Sequence, residues 1–151
     1  MSESWRTRLA RWKFNLAPVY RGTGGRVRYI REDWQEIRVA IPYSWRTRNY
    51  MGTTFGGSIY GACDPMHAML LIKNLDEDAY AVWDTEASVD FKKPGRADLY
   101  ARFELGDAEI AAVKRAVDED GPVNRTYEVD VVDADGVVHA TVENVVHVAE
   151  R

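Results

Sequence analysis

Apolar residues near the start of the chain recur at helical spacing. Between Ser4 and Leu16 they lie four, three and four residues apart, at Trp5, Leu9, Trp12 and Leu16. Basic residues occupy several of the positions between them. The pattern therefore predicts an amphipathic helix, with Ser4 as its N-cap and Pro18 as its stop. Residues 21–25 contain three glycines and predict a turn.

After that turn, apolar and polar residues alternate, which is the pattern of half-buried strands. The predicted strands cover residues 26–30, 34–41, 80–91, 99–105, 125–132 and 137–148. On the third of them, strict alternation puts Asp84 and Glu86 on one face, which we expect to be solvated or to make polar contacts between subunits. Residues 133–136 end in a glycine and predict a hairpin turn between the last two strands.

Two segments between the strands return to helical spacing. The first predicts one long buried helix from about residue 58 to residue 75, with its apolar positions at Ile59, Cys63, Met66 and Leu70. We expect this helix to bend near Pro65, because proline removes a hydrogen bond and crowds the carbonyl four residues earlier. A short helix is predicted over residues 108–117. One long helix and five or six strands predict an α+β fold, an antiparallel sheet wrapped around one helix.

Length and composition favour a single globular domain. The chain has 151 residues, of which 46% are hydrophobic and 29% charged, as in ordinary soluble proteins. No apolar run approaches the roughly 20 residues that span a bilayer, and the basic N-terminus has no apolar core typical of a secretory signal. The single cysteine, Cys63, excludes an intrachain disulfide and suits a reducing compartment. We therefore expect a cytoplasmic protein without a transmembrane segment.

The net charge of −4 is unevenly distributed along the chain. Residues 1–50 hold 11 Lys/Arg and 4 Asp/Glu, whereas residues 51–151 hold 9 and 20. A basic first third can attract phosphates, nucleic acid or a membrane surface. Because these basic residues are scattered, we interpret them as a solvated helix face and expect no nucleic-acid partner. A peripheral membrane contact of the N-terminal helix stays open.

The stretch from Asn49 to Asp64 combines an amide, a glycine-rich turn and a carboxylate at fixed offsets. Gly56 and Gly57 let the backbone approach a ligand closely. If a helix begins there, its free N–H groups favour negative charge. Donors for an oxyanion and a carboxylate base are what the attack of water on an acyl carbonyl requires.

On these residues the chain resembles the hotdog-fold acyl-CoA thioesterase superfamily over about residues 27–148. Related phenylacetate-pathway thioesterases have the same offsets from Asn49 to Asp64, but with histidine where this chain has Phe55. Residues 89–98 resemble the strand-to-strand turn of hotdog proteins, and residues 127–148 their last hairpin. Asp64-Pro65 and Trp83-Asp84 are most similar to a poorly characterised branch, a domain family without an assigned function. We therefore divide the chain into an N-terminal helix and turn, 1–26, and a thioesterase-like domain, 27–151.

The resemblance implies an acyl-CoA thioesterase that acts as a dimer or tetramer, with the acyl tunnel at the subunit interface. It implies catalytic roles for Asp64 as base, Asn49 as the group that positions water, and the Gly56 N–H as oxyanion donor. It implies substrate binding by Gly57, Phe55, Lys92, Lys93 and Arg96, the last three near the coenzyme A phosphates. No metal or redox cofactor is expected, because coenzyme A is part of the substrate.

Each of these roles has a structural alternative. Asp64 can cap or bend the helix, and Asn49 can make an Asx turn. The Lys92 to Arg96 turn can be a solvated hairpin tip. Asp84 or Glu86 can, as an alternative to a solvated face, be a second carboxylate that assists Asp64. Cys63 and His67 lie four residues apart and permit a metal site, but a buried thiol and a hydrogen-bonded histidine are the more common outcome.

Two other functions compete with thioester hydrolysis. One is a non-catalytic acyl- or lipid-binding module, which the missing histidine and Pro65 favour. The other is a hydroxyacyl dehydratase, which needs a histidine where this chain has Phe55.

Overall fold

The computed structural model describes residues 2–151 and shows an α+β protein built on one antiparallel sheet of six strands. The spatial order of the strands is β1-β2-β4-β5-β6-β3. The strands are β1 Arg26–Ile30, β2 Glu36–Ile41, β3 Tyr80–Phe91, β4 Leu99–Glu104, β5 Val123–Val132 and β6 Val138–Glu150. The predicted strands are therefore all present, with ends that differ by at most two residues.

Helices cover one face of this sheet and one of its edges. They are α1 Trp5–Leu16, α2 Pro18–Arg21, α3 Gly56–Cys63, α4 Met66–Asn74 and α5 Asp107–Asp120. Helices α3 and α4 pack on the sheet through fully buried side chains such as Met66, Leu70 and Leu71, which meet Phe103 and Val146 in the core. No helix within residues 2–151 has the length and apolarity needed to cross a membrane.

The single long central helix is a wrong prediction, because the segment forms two helices. Asp64 has extended backbone (φ −79°, ψ 131°) and ends α3, while Pro65 is the N-cap of α4. The physical reason is that Pro65 has no N–H to donate and disfavours helical geometry at the residue before it. The longest helix is instead α5, which has 14 residues and packs on β5 and β6.

A bulge near Thr85 also overturns the strict alternation expected of β3. Pairing with β6 shifts register between Asp84 and Glu86. Asp84 lies opposite Val146, a fully buried residue of β6, and therefore faces the helices. Glu86, on the far side of the bulge, faces the opposite way. The extra residue of a bulge reverses the side on which later side chains lie, so the two carboxylates do not share a face.

Helix α1 begins as predicted. Ser4 is its N-cap and forms a reciprocal capping box with Thr7: the Ser4 hydroxyl accepts from the Thr7 N–H at 3.1 Å, and the Thr7 hydroxyl accepts from the Ser4 N–H at 3.0 Å. Helix α1 ends at Leu16, before Pro18, as expected. Pro18 also opens the short helix α2, at a position that proline favours because its N–H would be unpaired there.

Helix α1 also covers the outer edge of β1. The Asn15 side chain accepts a hydrogen bond from the Val27 N–H at 2.8 Å and donates one to the Val27 carbonyl at 2.9 Å. The Glu3 carboxylate accepts from the Ile30 N–H at 3.0 Å. At the other end of the sheet, β3 pairs only with β6.

Candidate active site

The first turn of α3 offers backbone donors that no side chain caps. Phe55 is the N-cap and makes no side-chain hydrogen bond to the helix. Its own N–H donates to the Thr47 carbonyl, and the Ser58 N–H donates back to the Phe55 carbonyl. The N–H groups of Gly56 and Gly57 are left as the first-turn donors without an intrahelical acceptor. This helix end therefore favours an anion or a developing oxyanion.

A pocket of about 400 Å³ opens beside that turn. It brings together four of the residues predicted to form the site, namely Asn49, Gly56, Lys92 and Lys93. The rest of its lining is formed by Thr53, Thr54, Ile59, Phe91, Pro94 and Gly95. Gly57, Phe55, Asp64 and Arg96 do not line it. The pocket of one chain therefore contains Gly56, the predicted oxyanion donor, and two of the predicted cations, but Asp64, the predicted base, lies outside it.

The Asn49 side chain is largely occupied by its own loop. Its Oδ1 accepts from the N–H groups of Met51 and Thr53, both at 3.0 Å, and its Nδ2 donates to the Thr53 hydroxyl at 2.8 Å. This is the Asx turn that was expected if Asn49 has a structural rather than a catalytic role. Oδ1 is thereby taken up within the loop, while Nδ2 retains a second hydrogen for a ligand in the pocket.

Two aromatic rings lie against the glycines of the turn. A Cβ at Gly56 would come within 2.9 Å of the Phe91 ring, and a Cβ at Gly57 within 2.4 Å of the Phe55 ring. Phe55 is 55% exposed and Phe91 57% exposed. The glycines therefore leave space for rings that form an apolar rim, and Phe91, which we did not assign to the site from sequence, belongs to the pocket wall.

The basic turn after β3 divides into two parts. The N–H groups of Lys92 and Lys93 both donate to the His139 carbonyl, at 2.8 and 3.0 Å, which fixes their backbone at the pocket. Arg96 is exposed and lies outside the lining. A phosphate in the pocket would thus meet the two lysines rather than the arginine.

Asp64 lies at the other end of α3 from the two glycines. Helix α3 has eight residues and is therefore about 12 Å long at 1.5 Å per residue. Asp64 is half-buried and its N–H donates to the Tyr60 carbonyl at 2.9 Å. The Gly56 donors and the Asp64 carboxylate of one chain are thus too far apart to act on the same carbonyl group.

Asp84 joins Asp64 in a carboxyl pair. The bulge in β3 aims Asp84 at the end of α3, where its carboxyl group lies near that of Asp64. No donor among residues 2–151 reaches the buried Oδ1 of Asp84. Burial, together with the neighbouring Asp64, raises the pKa of Asp84 to about 6. The Asp84 carboxyl therefore keeps its proton to a higher pH than an exposed aspartate does.

The polar residues around this pair are Tyr60 and Asn144. Burial, followed by the nearby Asp64, raises the pKa of Tyr60, and the Asn144 side chain lies next to the Tyr60 hydroxyl. Asn144 is a buried polar residue on the helix-facing side of β6. The sequence offers one signal for Asn144: it is a polar residue at a position of β6 where the alternation predicts an apolar, inward-facing one.

Cys63 and His67 are both buried among apolar groups. Burial raises the pKa of the Cys63 thiol to about 12 and lowers the pKa of His67 to about 4, so both are neutral at pH 7. The His67 ring stacks on Tyr127 and meets the edge of Phe103, with both centroid distances 5.0 Å. Among residues 2–151 no group of three or more His, Cys, Asp or Glu side chains is arranged to hold a metal ion.

Comparison with known proteins identifies the family. The chain belongs to the family of the domain of unknown function DUF4442, whose model matches residues 6–148. No curated protein matches the sequence.

Solved structures show the same fold. A Pseudomonas aeruginosa protein of unknown function, named a probable thioesterase, has a TM-score of 0.86 at 18% identity, with 100% of this chain and 99% of that chain covered. A Haemophilus influenzae thioesterase has a TM-score of 0.70 at 13% identity, with coverages of 99% and 94%. A mutant Pseudomonas aeruginosa thioesterase has a TM-score of 0.70 at 14% identity, with coverages of 100% and 97%. At these identities the likeness shows the fold alone, which is the α+β hotdog fold expected from the sequence.

Proposed function

We propose that this DUF4442 protein hydrolyses acyl thioesters of the coenzyme A type. The observation that carries the proposal is the uncapped first turn of α3, which presents the N–H groups of Gly56 and Gly57 beside a pocket that also holds Lys92 and Lys93. Backbone donors that are fixed before the reaction stabilise charge as it develops on a thioester oxygen. Two ammonium groups at the same pocket suit the phosphates of coenzyme A.

The proposed reaction needs only water and a carboxylate. Asp64 accepts a proton from water while the water oxygen bonds to the carbonyl carbon. The electron pair of the C=O bond moves to oxygen, where the Gly56 and Gly57 N–H groups hold it. Collapse of this intermediate breaks the C–S bond, and the leaving thiolate takes the proton back from Asp64. Acid and thiol are released, and the carboxylate is regenerated.

The base and the donors come from two copies in this proposal. Strand β3 has a free edge, and Trp83 and Phe91 are 49% and 57% exposed along it. If two β3 edges pair about a two-fold axis, equivalent elements run antiparallel across that axis. The N-terminus of α3 in one copy then lies toward the C-terminus of α3 in the other. This arrangement brings Gly56 of one copy and Asp64 of the second copy to one thioester.

Hydrolysis of a panel of acyl-CoA esters, from short and aromatic to long acyl groups, tests the proposal. Asp64→Asn is expected to lower kcat by about 10²–10⁴-fold, the usual contribution of a general base, with little change in substrate binding. Gly56→Pro removes the donor N–H at the first helical position, where proline is tolerated, and is expected to cost about 10²–10³-fold.

Gly56→Ala is the matched control, because it keeps the N–H and asks only the end of the Phe91 ring to move. It is expected to stay within about threefold of the parent protein if the donor is what matters. Circular dichroism of each variant separates lost chemistry from lost fold. Turnover by the Asp64→Asn variant at the parental rate would contradict the proposal.

A non-catalytic acyl-binding function is the second candidate. It is favoured by the phenyl ring of Phe55, which provides no group for proton transfer, and by the Asn49 amide, which its own loop largely occupies. Isothermal titration with the same panel distinguishes the two functions. Binding without turnover of any ester by the parent protein would establish the second and exclude the first.

A further inference from the structure

Four large apolar side chains form a stripe along the outside of α1. Trp5 is 71% exposed, Leu9 49%, and Trp12 and Leu16 59% each. At about 100° per residue, these four side chains, here named the α1 stripe, lie within about 60° of helix circumference. Ala10 and Phe14, on the opposite side of the helix, pack against the core. The helix thus has two apolar faces. The face with the smaller amount of apolar surface packs against the core, and the face with the two tryptophans is exposed.

Cations flank the α1 stripe on both sides. By the same helical geometry, Arg6 and Lys13 lie along one flank and Arg8 and Arg11 along the other. The Arg6 guanidinium lies 5.3 Å from the centre of a Trp5 ring. Glu3, the one acidic residue among residues 2–28, is bound to Arg11 at 2.9 Å. The flanks of the stripe therefore carry an excess of positive charge.

A groove next to the α1 stripe repeats this combination of apolar and basic groups. It has a volume of about 340 Å³ and is lined by Trp12 and Leu16 together with Arg11, Arg21 and Arg26. Its lining therefore combines an indole and a leucine side chain with three guanidinium groups. Such a groove suits a phosphate ester attached to a hydrocarbon chain.

We propose that the α1 stripe docks on an anionic phospholipid surface, with the tryptophans and leucines at headgroup depth and the flanking cations on lipid phosphates. A helix with aromatic and leucine residues on one side and Lys/Arg beside them has the composition of helices that lie in the membrane interface. Tryptophan favours that interface because its ring is apolar and its N–H is polar. The proposal does not depend on thioester hydrolysis.

Charge and position both argue against a second copy as the occupant. Two α1 stripes that met about a two-fold axis would bring basic flanks against basic flanks, which is unfavourable. Helix α1 lies against β1, at the end of the sheet opposite the free β3 edge. Association through β3 therefore leaves the stripe exposed.

Co-sedimentation with vesicles tests the proposal. The full chain is mixed with phosphatidylcholine vesicles that contain about 30% phosphatidylglycerol, and with vesicles of phosphatidylcholine alone. Binding is expected to the anionic vesicles, with a blue shift of tryptophan fluorescence, and to weaken at high salt. Trp5→Ser combined with Trp12→Ser should lower the partition coefficient at least about tenfold. Replacing Arg6, Arg8 and Lys13 by Gln should lower it by up to about fivefold for each charge.

Matched controls use exposed residues elsewhere on the molecule. Trp45, which is 75% exposed, is replaced by Ser, and the exposed pair Lys114 and Arg115 on α5 by Gln. Both controls should bind vesicles as the parent does. Failure of the parent to bind anionic vesicles, or equal binding by the double tryptophan variant, would overturn the proposal. A lower molecular mass of that variant in light scattering would also overturn it, because the stripe would then join two copies.

Discussion

The two edges of the sheet are treated in opposite ways. At β1, side chains of α1 take the place of a further strand, since Asn15 both accepts from and donates to the backbone of Val27. At β3, pairing stops after β6, and Trp83 and Phe91 remain about half exposed. One edge is therefore closed within the chain, and the other is available for pairing.

This difference indicates the direction in which the sheet can grow. An uncovered strand edge presents unpaired N–H and C=O groups that favour pairing with another chain. Both ends of α3 lie beside β3. Gly56, at its N-terminus, lies against Phe91, and Asp64, at its C-terminus, lies near Asp84. Closure of β1 and exposure of β3 thus support a site that two copies complete, and a monomer mass near 17.2 kDa in light scattering would contradict it.

The largest expected effect is recovery of activity on mixing two inactive variants. Asp64→Asn and Gly56→Pro are each expected to retain at most about 1% of the parental turnover. In heterodimers one site carries both changes and the other carries neither. Random pairing of equal amounts therefore regenerates about a quarter of the parental sites.

The two variants are refolded together, and acyl-CoA hydrolysis is compared with each variant refolded alone. Turnover of the mixture equal to the mean of the two separate variants would show that each chain holds its own complete site.

The second prediction concerns the closed edge. Asn15→Ala removes both partners of the Val27 backbone and is expected to lower the free energy of unfolding by about 1–3 kcal/mol. Chemical denaturation measures the loss. Because Asn15 acts at β1, the mass in light scattering and any acyl-CoA turnover should not change. Asn15→Asp, which keeps the acceptor for the Val27 N–H, should cost less. A change of oligomeric mass in Asn15→Ala would mean that the two edges are not independent.

The third prediction concerns the turn that follows the open edge. Lys92→Ala combined with Lys93→Ala is expected to weaken acyl-CoA binding about tenfold at low salt and less at high salt, because phosphate contacts are screened. Arg96→Ala is the matched control, since Arg96 is a cation of the same turn that does not line the pocket. Titration calorimetry at two salt concentrations measures both. Equal losses for the two variants would assign the effect to general surface charge.

The smallest expected effect is a pH-dependent change in stability at Asp84. Its pKa in the folded protein, about 6, lies above the usual value for Asp, about 3.9. The stabilising contribution of its protonated form is therefore fully present below about pH 4 and is lost as pH rises through 6. Asp84→Asn, which cannot ionise, should gain stability relative to the parent between pH 4 and pH 8, by about 1 kcal/mol after allowance for solvent screening.

Denaturant titration at several pH values checks this prediction. Asp90→Asn, which changes an exposed carboxylate of the same strand, is the control and should show no such trend. A stability difference between the Asp84 variant and the parent that stays constant with pH would mean that folding does not raise the pKa of Asp84.

Much of the fold was predictable because it depends on local pattern. Alternation located all six strands, and the capping box of Ser4 and Thr7 fixed the start of α1. At the last hairpin the Gly136 N–H donates to the Asp133 carbonyl, and Gly136 has a φ of 82°, which glycine adopts without strain. The central helix was predicted incorrectly because the helical spacing of apolar residues continues through Pro65. The backbone does not stay helical there, since proline interrupts it between α3 and α4.

The candidate site was predictable only in part. Spacing brought Asn49 and Gly56 to one pocket, and Lys92 and Lys93 joined them because β3 ends beside α3. The proximity of Asp84 to Asp64 was one possibility that the sequence left open without support, since strict alternation placed Asp84 beside Glu86 and a bulge has no reliable sequence signal. The catalytic assignments of Asp64, Asn49 and Gly56 remain predictions.

The sequence by itself determined the order of the elements, the interruption near Pro65 and the position of the turns, because these follow from spacing, proline and glycine. Only the tertiary structure decided which face of each element is buried. The α1 pattern describes a stripe of Trp and Leu, but the sheet binds the opposite face, so the stripe stays exposed. One extra residue in β3 turned Asp84 toward Asp64. A face becomes buried only when another element packs against it, and the pattern of one segment does not show which element that is.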